Sequence, residues 1–535
     1  MIFKNSVLGS CLMLIALICW FNAKSGEALG TFGLDIHHRY SDTVQQFLND
    51  DGLPEEGTVD YYTALAHRDQ LLKGRRLAGT TTATTPITFF GGNETYRISS
   101  LAFLHYSLVS VGTPALTFLV ALDTSSELFW IPCDCINCAR SLSLPSGKIR
   151  KLDIYSPSTS TTSTTVPCSS PMCGPTRGCS TRLSACSYQL LYGNTSTAGI
   201  LVNDLLHLGT DTDPQDPIDA PITFGCGMVQ TGEFLDGVGL NGLFGLGIGS
   251  ESVPSILASK GVTANSFSMC FSRDGLGRIE FGDTGSPDQE VTPFNLQQSQ
   301  PYYNVTVTQI SVEESVTNVE FTAIFDTTSS FVYLSDPAYS IIVKGFDSRI
   351  TEVRYIPSRR IIFDYCYSLG ATQESYTIPI LAFTMEGGGK FYVHAPTIVI
   401  RRDQGGLAYC LAIIESEDVN IIGQHFMTGH RLVFDREKMV LGWKEANCYD
   451  SISSNSPPIS KGTPSSTPPP PPPSPSAFIP VANGTRTPIS PPPPPSQSPP
   501  PPPPTKTLLG RGGAARLNSM STGLVMVLLA IFALV

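Results

Sequence analysis

"FLVALDTSSELFW" (residues 118–130) is answered later in the chain by "FTAIFDTTSSFVYL" (residues 321–334). Each stretch has an apolar run, Asp-Thr, a small hydroxyl residue, Ser, and a return to apolar residues. A second pair of matches follows, "NGLFGLG" (241–247) after the first and "NIIGQHF" (420–426) after the second. One Asp-Thr box is common by chance. Two boxes, each followed by an apolar strand ending in glycine, predict two copies of one unit. Facing each other across a cleft, the units would each bring one loop carboxylate, Asp123 and Asp326, to the centre. Two carboxylates about 3 Å apart cannot both ionise, so they share a proton. The ionised one can take a proton from a water while the other donates to a substrate carbonyl. An amide is then attacked without a covalent intermediate.

The remainder of the chain supplies the frame. It has 535 residues, enough for two or three domains. From about residue 100 to 450, short runs rich in β-branched and aromatic residues ("FLVAL", "PITFGC", "YYNVTVTQISV", "KFYVHAPTIVI") alternate with Gly, Pro, Ser and Asn. The expected fold is mostly β, in two related lobes. Helices are expected at 252–261 and 336–350. Net charge −11 with no basic block argues against a nucleic-acid partner and suits an acidic compartment.

The ends carry address signals. Residues 1–28 read as a secretory signal, with Lys4 before an apolar stretch and small residues near Ala28. Fourteen cysteines occur; Cys11 and Cys19 leave with that signal. Cys133, Cys135, Cys138, Cys168, Cys173, Cys179, Cys186, Cys226, Cys270, Cys366, Cys410 and Cys448 remain, an even set that predicts up to six disulfides. "CDCINC" (133–138) has no completing ligand set nearby, and no metal site is expected there or at His37 and His38. Residues 29–78 are charged and cysteine-free and read as a pro-segment, with Arg75–Arg76 as a cut. Residues 79–285 and 286–450 are expected to form the N- and C-terminal lobes. The proline-rich stretch 451–511 is expected to be a disordered, extended spacer. Residues 512–535, small residues followed by the apolar "GLVMVLLAIFALV", read as a glycolipid-anchor signal with attachment at Gly512; a plain membrane tail is the other reading. Asn93, Asn194, Asn304 and Asn483 head glycosylation sequons. "GLFGLGIGS" lacks the Gly-Lys-Ser/Thr end of a phosphate loop.

With "CSYQLLYGNTSTAGILVNDLLHL" and "NIIGQHFMTGHRLVFDREKMVLGWKEANCYD" beside the two boxes, the chain resembles the pepsin-type aspartic proteases, specifically their plant nepenthesin-like branch. The resemblance covers nearly all of 100–450 and implies a bilobal, disulfide-stapled β fold. It implies that Asp123 and Asp326 are the catalytic pair, that Thr124 and Thr327 cross-link the loops, and that Ser126 and Ser329 donate to the outer carboxylate oxygens. Tyr192 matches the flap tyrosine and Trp130 its partner. The cysteines resemble a six-bridge set, with Cys366–Cys410 the pairing expected first. The resemblance also implies polypeptide substrates and no metal or organic cofactor. A secreted monomer, held by its anchor at the outer face of the plasma membrane or in the cell wall, is expected.

One feature departs from the family pattern. Its loops read Asp-Thr-Gly or Asp-Ser-Gly; here Ser125 and Thr328 stand in the glycine positions. A side chain there is expected to add backbone strain of roughly 1–3 kcal/mol, and a displacement of about 1 Å costs on the order of 100-fold in rate. Two readings therefore stand. Either the chain is an acid-acting endopeptidase with its dyad intact, or it is a weak or inactive relative that binds peptides or cell-wall material.

Overall fold

The computed structural model describes residues 31–48, 54–77, 104–143, 147–173, 177–180, 182–192, 195–210, 213–237, 239–272, 276–295, 302–356, 362–370, 373, 375–402, 405–417, 419–448 and 476–478. The signal region, Arg511–Val535, Asn93, Asn194 and Asn483 lie outside them. Among the described residues no helix is long and apolar enough to cross a membrane.

Two large sheets organise the chain. The first contains, in order, the strands Glu290–Pro293, Val440–Glu445, His430–Asp435, Ser266–Phe271, Leu276–Phe281, Phe32–His38, His105–Val111, Leu116–Asp123, Leu243–Gly245, Trp130–Asn137, Asp213–Thr231, Thr195–Thr210, Ala185–Tyr192 and Cys179–Ser180. The second runs Lys390–Val393, Leu381–Met385, Asn304–Val312, Ser315–Asp326, Ile421–Gly423, Val332–Leu334 and Ile413–Glu415. The apolar run "FLVAL" lies inside the first sheet and is buried from Phe118 through Asp123, as expected for a strand covered on both faces. The expected helices form at Val253–Ser259 and Ala338–Asp347.

The chain does not divide simply at residue 286. Glu290–Pro293 and the late strands His430–Asp435 and Val440–Glu445 join the sheet of the N-terminal half, through the pairing of Phe267 with Phe434 and its neighbours. Those two rings stack at 4.7 Å. The Cys270–Cys448 bridge fixes the same seam. The charged arm is ordered too. Its strand Phe32–His38 lies between Leu276–Phe281 and His105–Val111, and the helices Asp42–Leu48 and Val59–Leu77 follow.

All twelve cysteines are paired: Cys133–Cys226, Cys135–Cys138, Cys168–Cys179, Cys173–Cys186, Cys270–Cys448 and Cys366–Cys410. The "CDCINC" run is thus consumed by two bridges. Two expectations need correction. Asn304 is only 4% exposed at the head of a central strand, where a glycan has no room. Within the proline-rich stretch, Ser476–Phe478 pairs with Ser375–Thr377; these three residues contain no proline, so their N–H groups are free to enter a ladder.

Candidate active site

The internal repeat is visible in the backbone pairing. Leu243, Phe244 and Gly245 run parallel to Ala121, Leu122 and Asp123; Ile421, Ile422 and Gly423 run parallel to Ile324, Phe325 and Asp326. Each glycine is required by its own loop. A Cβ on Gly245 would meet the Glu127 carbonyl oxygen at 2.2 Å, and one on Gly423 would meet that of Phe331 at 2.1 Å. The aspartate loops therefore fold tightly over the glycines, and this is why both downstream motifs carry one.

The loops are tied to each other and buried. Asp123 is 4% and Asp326 1% exposed. Thr124 Oγ1 lies 3.2 Å from Thr327 Oγ1 and accepts from the Thr327 N–H at 3.3 Å. Ser126 donates its hydroxyl to Asp123 Oδ2 at 2.5 Å, and Ser329 donates to Asp326 Oδ2. These are the partners the resemblance implies.

Ser125 and Thr328 do not behave as expected. Neither has a positive φ, so neither needs the left-handed backbone that favours glycine, and no strain of that kind arises. Their side chains turn inward instead. Ser125 donates to Asp123 Oδ1 from its N–H at 2.9 Å and from its hydroxyl at 2.6 Å. Thr328 does the same to Asp326 Oδ1, at 3.1 and 2.7 Å. Each Oδ1 thus receives two donors, which matches the two lone pairs of a carboxylate oxygen.

Tyr192 ends the strand Ala185–Tyr192 and pairs with Thr195, the first residue of the next strand. Its hydroxyl is 3.4 Å from Ser126 Oγ, and its ring meets Phe234 edge-on. Trp130, fully buried, packs edge-on against the same Phe234.

Several residues at the site were not foreseen. Glu127 follows the first loop; it accepts from the Gly249 N–H at 2.6 Å, and burial pushes its carboxyl up to about 7 despite that bond and the nearby Arg436. Arg436 donates to the carbonyls of Ile248 and Gly249, holding the segment that carries that N–H. Beside the second loop, the arm helix Val59–Leu77 inserts Arg68 and Asp69, 4% and 1% exposed. The sequence signal for this is Arg68, at helical spacing from the buried Tyr61 and Leu65 and so a charge on an apolar face. Among the described residues no group of three or more His, Cys, Asp or Glu side chains is placed to hold a metal.

A bilobal β frame with two equivalent, cross-linked Asp-Thr loops defines the pepsin-like class. The family model described as xylanase inhibitor N-terminal matches residues 105–283, and its C-terminal counterpart matches 302–445. Aspartyl protease family protein 1 of Arabidopsis thaliana is 49% identical over 457 residues, 84% of this chain and 88% of that one. Aspartic proteinase nepenthesin-1 of Nepenthes gracilis is 27% identical over 364 residues, 64% and 77% of the two chains. The solved structure of basic 7S globulin from soybean covers 79% of this chain and 96% of its own at TM-score 0.51 and 17% identity, a likeness of fold. The chain belongs to the pepsin-like aspartic protease family, in its plant nepenthesin-like branch.

Proposed function

We propose that the protein is an aspartic endopeptidase that hydrolyses peptide bonds through a water held between Asp123 and Asp326, with Tyr192 closing over the substrate. The observation that carries this reading is the bonding between Thr124 and Thr327, hydroxyl to hydroxyl and from the Thr327 N–H to Thr124 Oγ1, which ties two equivalent aspartate loops together in a buried setting. In this reading the chain is made with a secretory signal, held at the cell surface by a glycolipid anchor near Gly512, and freed of residues 29–78. Asn194, two residues after Tyr192 in the sequence, would carry a glycan that restricts access to the cleft. Acidifying the secreted full chain should release the arm and cleave a denatured protein. Pepstatin and Asp123→Asn should each abolish that cleavage. Activity that survives Asp123→Asn would end the reading.

A second reading, a weak or inactive peptide-binding relative, is favoured by one observation. The Ser125 and Thr328 hydroxyls already fill the Oδ1 acceptor sites that a bridging water would use.

A further inference from the structure

Asp69 sits in a set of donors supplied by the residues that follow Asp326. Its Oδ2 accepts from the Ser330 N–H at 2.7 Å, the Phe331 N–H at 3.1 Å and the Tyr333 hydroxyl at 3.1 Å. Its Oδ1 accepts from the Ser330 hydroxyl at 3.0 Å and from Arg68 Nη1 at 2.5 Å. Arg68 in turn donates to Ser330 Oγ at 2.9 Å and to the Thr328 carbonyl. Phe331 and Phe363, edge to face at 5.0 Å, and Tyr62 form an aromatic wall alongside.

Two features make this a site for a carboxylate rather than for any polar group. The donors at Ser330 and Phe331 are successive backbone N–H groups, which cannot turn into acceptors and together form an anion-binding concavity. In the uncut chain Arg68 adds an obligatory donor on the other oxygen; once the arm has left, a cation next to the incoming acid has to supply it. An amide in the same position would set its own NH₂ against donors. Burial pushes the Asp69 carboxyl up, and Arg68 with the Ser330 and Phe331 bonds pulls it down. The rest of the set belongs to the chain beyond the arm, so it persists when the arm is cut away. Once the arm has left, water takes its place on these donors, and a bound carboxylate gains by the charge-assisted bonds it makes in place of water's neutral ones.

We infer that Ser330, Phe331 and Tyr333 form a carboxylate-recognition subsite beside Asp326, filled by the arm's Asp69 in the uncut chain and open to an acidic side chain of a polypeptide once the arm has left. The Thr328 carbonyl gives the same subsite an acceptor for a cation next to that acid, so an Arg-Asp pair in the bound peptide fits it best. This rests on reading the cleft as a peptide-binding cleft.

The test uses full-length Asp69→Ala, which leaves a side-chain-sized space in the subsite while the arm stays in place and so admits a small carboxylate. It is titrated with acetate and with acetamide at fixed ionic strength. The expected result is that acetate raises its melting temperature more than acetamide does, with Tyr333→Phe in the same background reducing the difference and the parent chain showing none. Equal responses overturn the inference. Peptide cleavage is assayed separately. Acetate selectivity without cleavage keeps the subsite and removes the endopeptidase reading; cleavage without acetate selectivity does the reverse. If Asp69→Ala fails to fold, Asp69→Glu and Asp69→Asn are compared in thermal unfolding: greater stability of the carboxylate variant supports the subsite, and equal losses overturn it.

Discussion

Restoring glycine in both aspartate loops should make the protein faster and less stable at once. In the structure the Ser125 and Thr328 hydroxyls donate to Asp123 Oδ1 and Asp326 Oδ1 at 2.6 and 2.7 Å. A water bridging the two carboxylates has to take over acceptor sites that these hydroxyls fill. A hydrogen bond to a charged group is worth about 1.5–3 kcal/mol net. Breaking one at the low end costs about tenfold in rate, and breaking both about 100-fold. Ser125→Gly/Thr328→Gly should therefore raise kcat/KM on an internally quenched peptide at acid pH by about 100-fold. The same change deletes two bonds and adds glycine's backbone entropy, about 0.5–1 kcal/mol per site, so the melting temperature should fall. Ser125→Ala/Thr328→Ala separates the causes. It removes the hydroxyls and keeps the Cβ atoms, and it should recover most of the gain. If both double variants fold and neither exceeds the parent chain, the hydroxyls are not the obstacle and the reasoning fails.

Three further outcomes are expected. Thr124→Val removes the acceptor of the buried Thr327 N–H and should cost about 1–3 kcal/mol in urea unfolding, together with a loss of cleavage. Glu127 is held above its ordinary value of 4.5, up to about 7, so the folded chain binds more protons than the unfolded one in that window. Its contribution to stability is lost as pH rises through it, and Glu127→Gln should flatten the melting-temperature profile there. His38, on the arm strand and paired with His105, is pushed down to about 4 by burial and then by Arg68 and Arg39. Docking of the arm should weaken as pH falls from 6.5 towards 4. Asp69, pushed up by burial, pulls the other way, so the difference in arm proteolysis between the parent chain and His38→Phe isolates the histidine.

The parts of the site legible in the sequence are those that repeat. Asp123, Thr124 and Ser126 could be matched to Asp326, Thr327 and Ser329 because a two-lobed fold writes the same local instruction twice, glycine strand included. Tyr192 was singled out by the family resemblance of "LLYGNTSTAG", not by any physical pattern in its own stretch. Arg68 and Asp69 were missed: a charge on an apolar helix face marks Arg68 locally, but the partners lie 260 or more positions away and nothing local says what they are. The conformation at Ser125 and Thr328 was misjudged for a related reason. Glycine in relatives marks a place where a side chain is unwanted, and this need not mean a positive φ. Asn304 was misjudged because a sequon carries no information on burial.

The two replacements are intelligible together in a way that neither is alone. With both made, each aspartate receives the same set: an N–H and a hydroxyl on Oδ1 and a serine hydroxyl on Oδ2. A single replacement would give one carboxylate an extra donor and so fix on which side a shared proton rests. Matched replacement leaves that choice to groups outside the loops. Beside Asp123 these include Tyr192 and the half-buried Glu127; beside Asp326 they are Tyr333 and the Arg68–Asp69 pair. The arm reaches both sides: Arg68 and Asp69 stand beside Asp326, and Val44 and Phe47 pack in the cluster that holds Trp130 and Tyr192 beside Asp123. Cutting the arm away therefore removes a charged pair from one aspartate's surroundings and apolar cover from the other's, and an unlike loss of this kind turns a balanced pair into an unequal one.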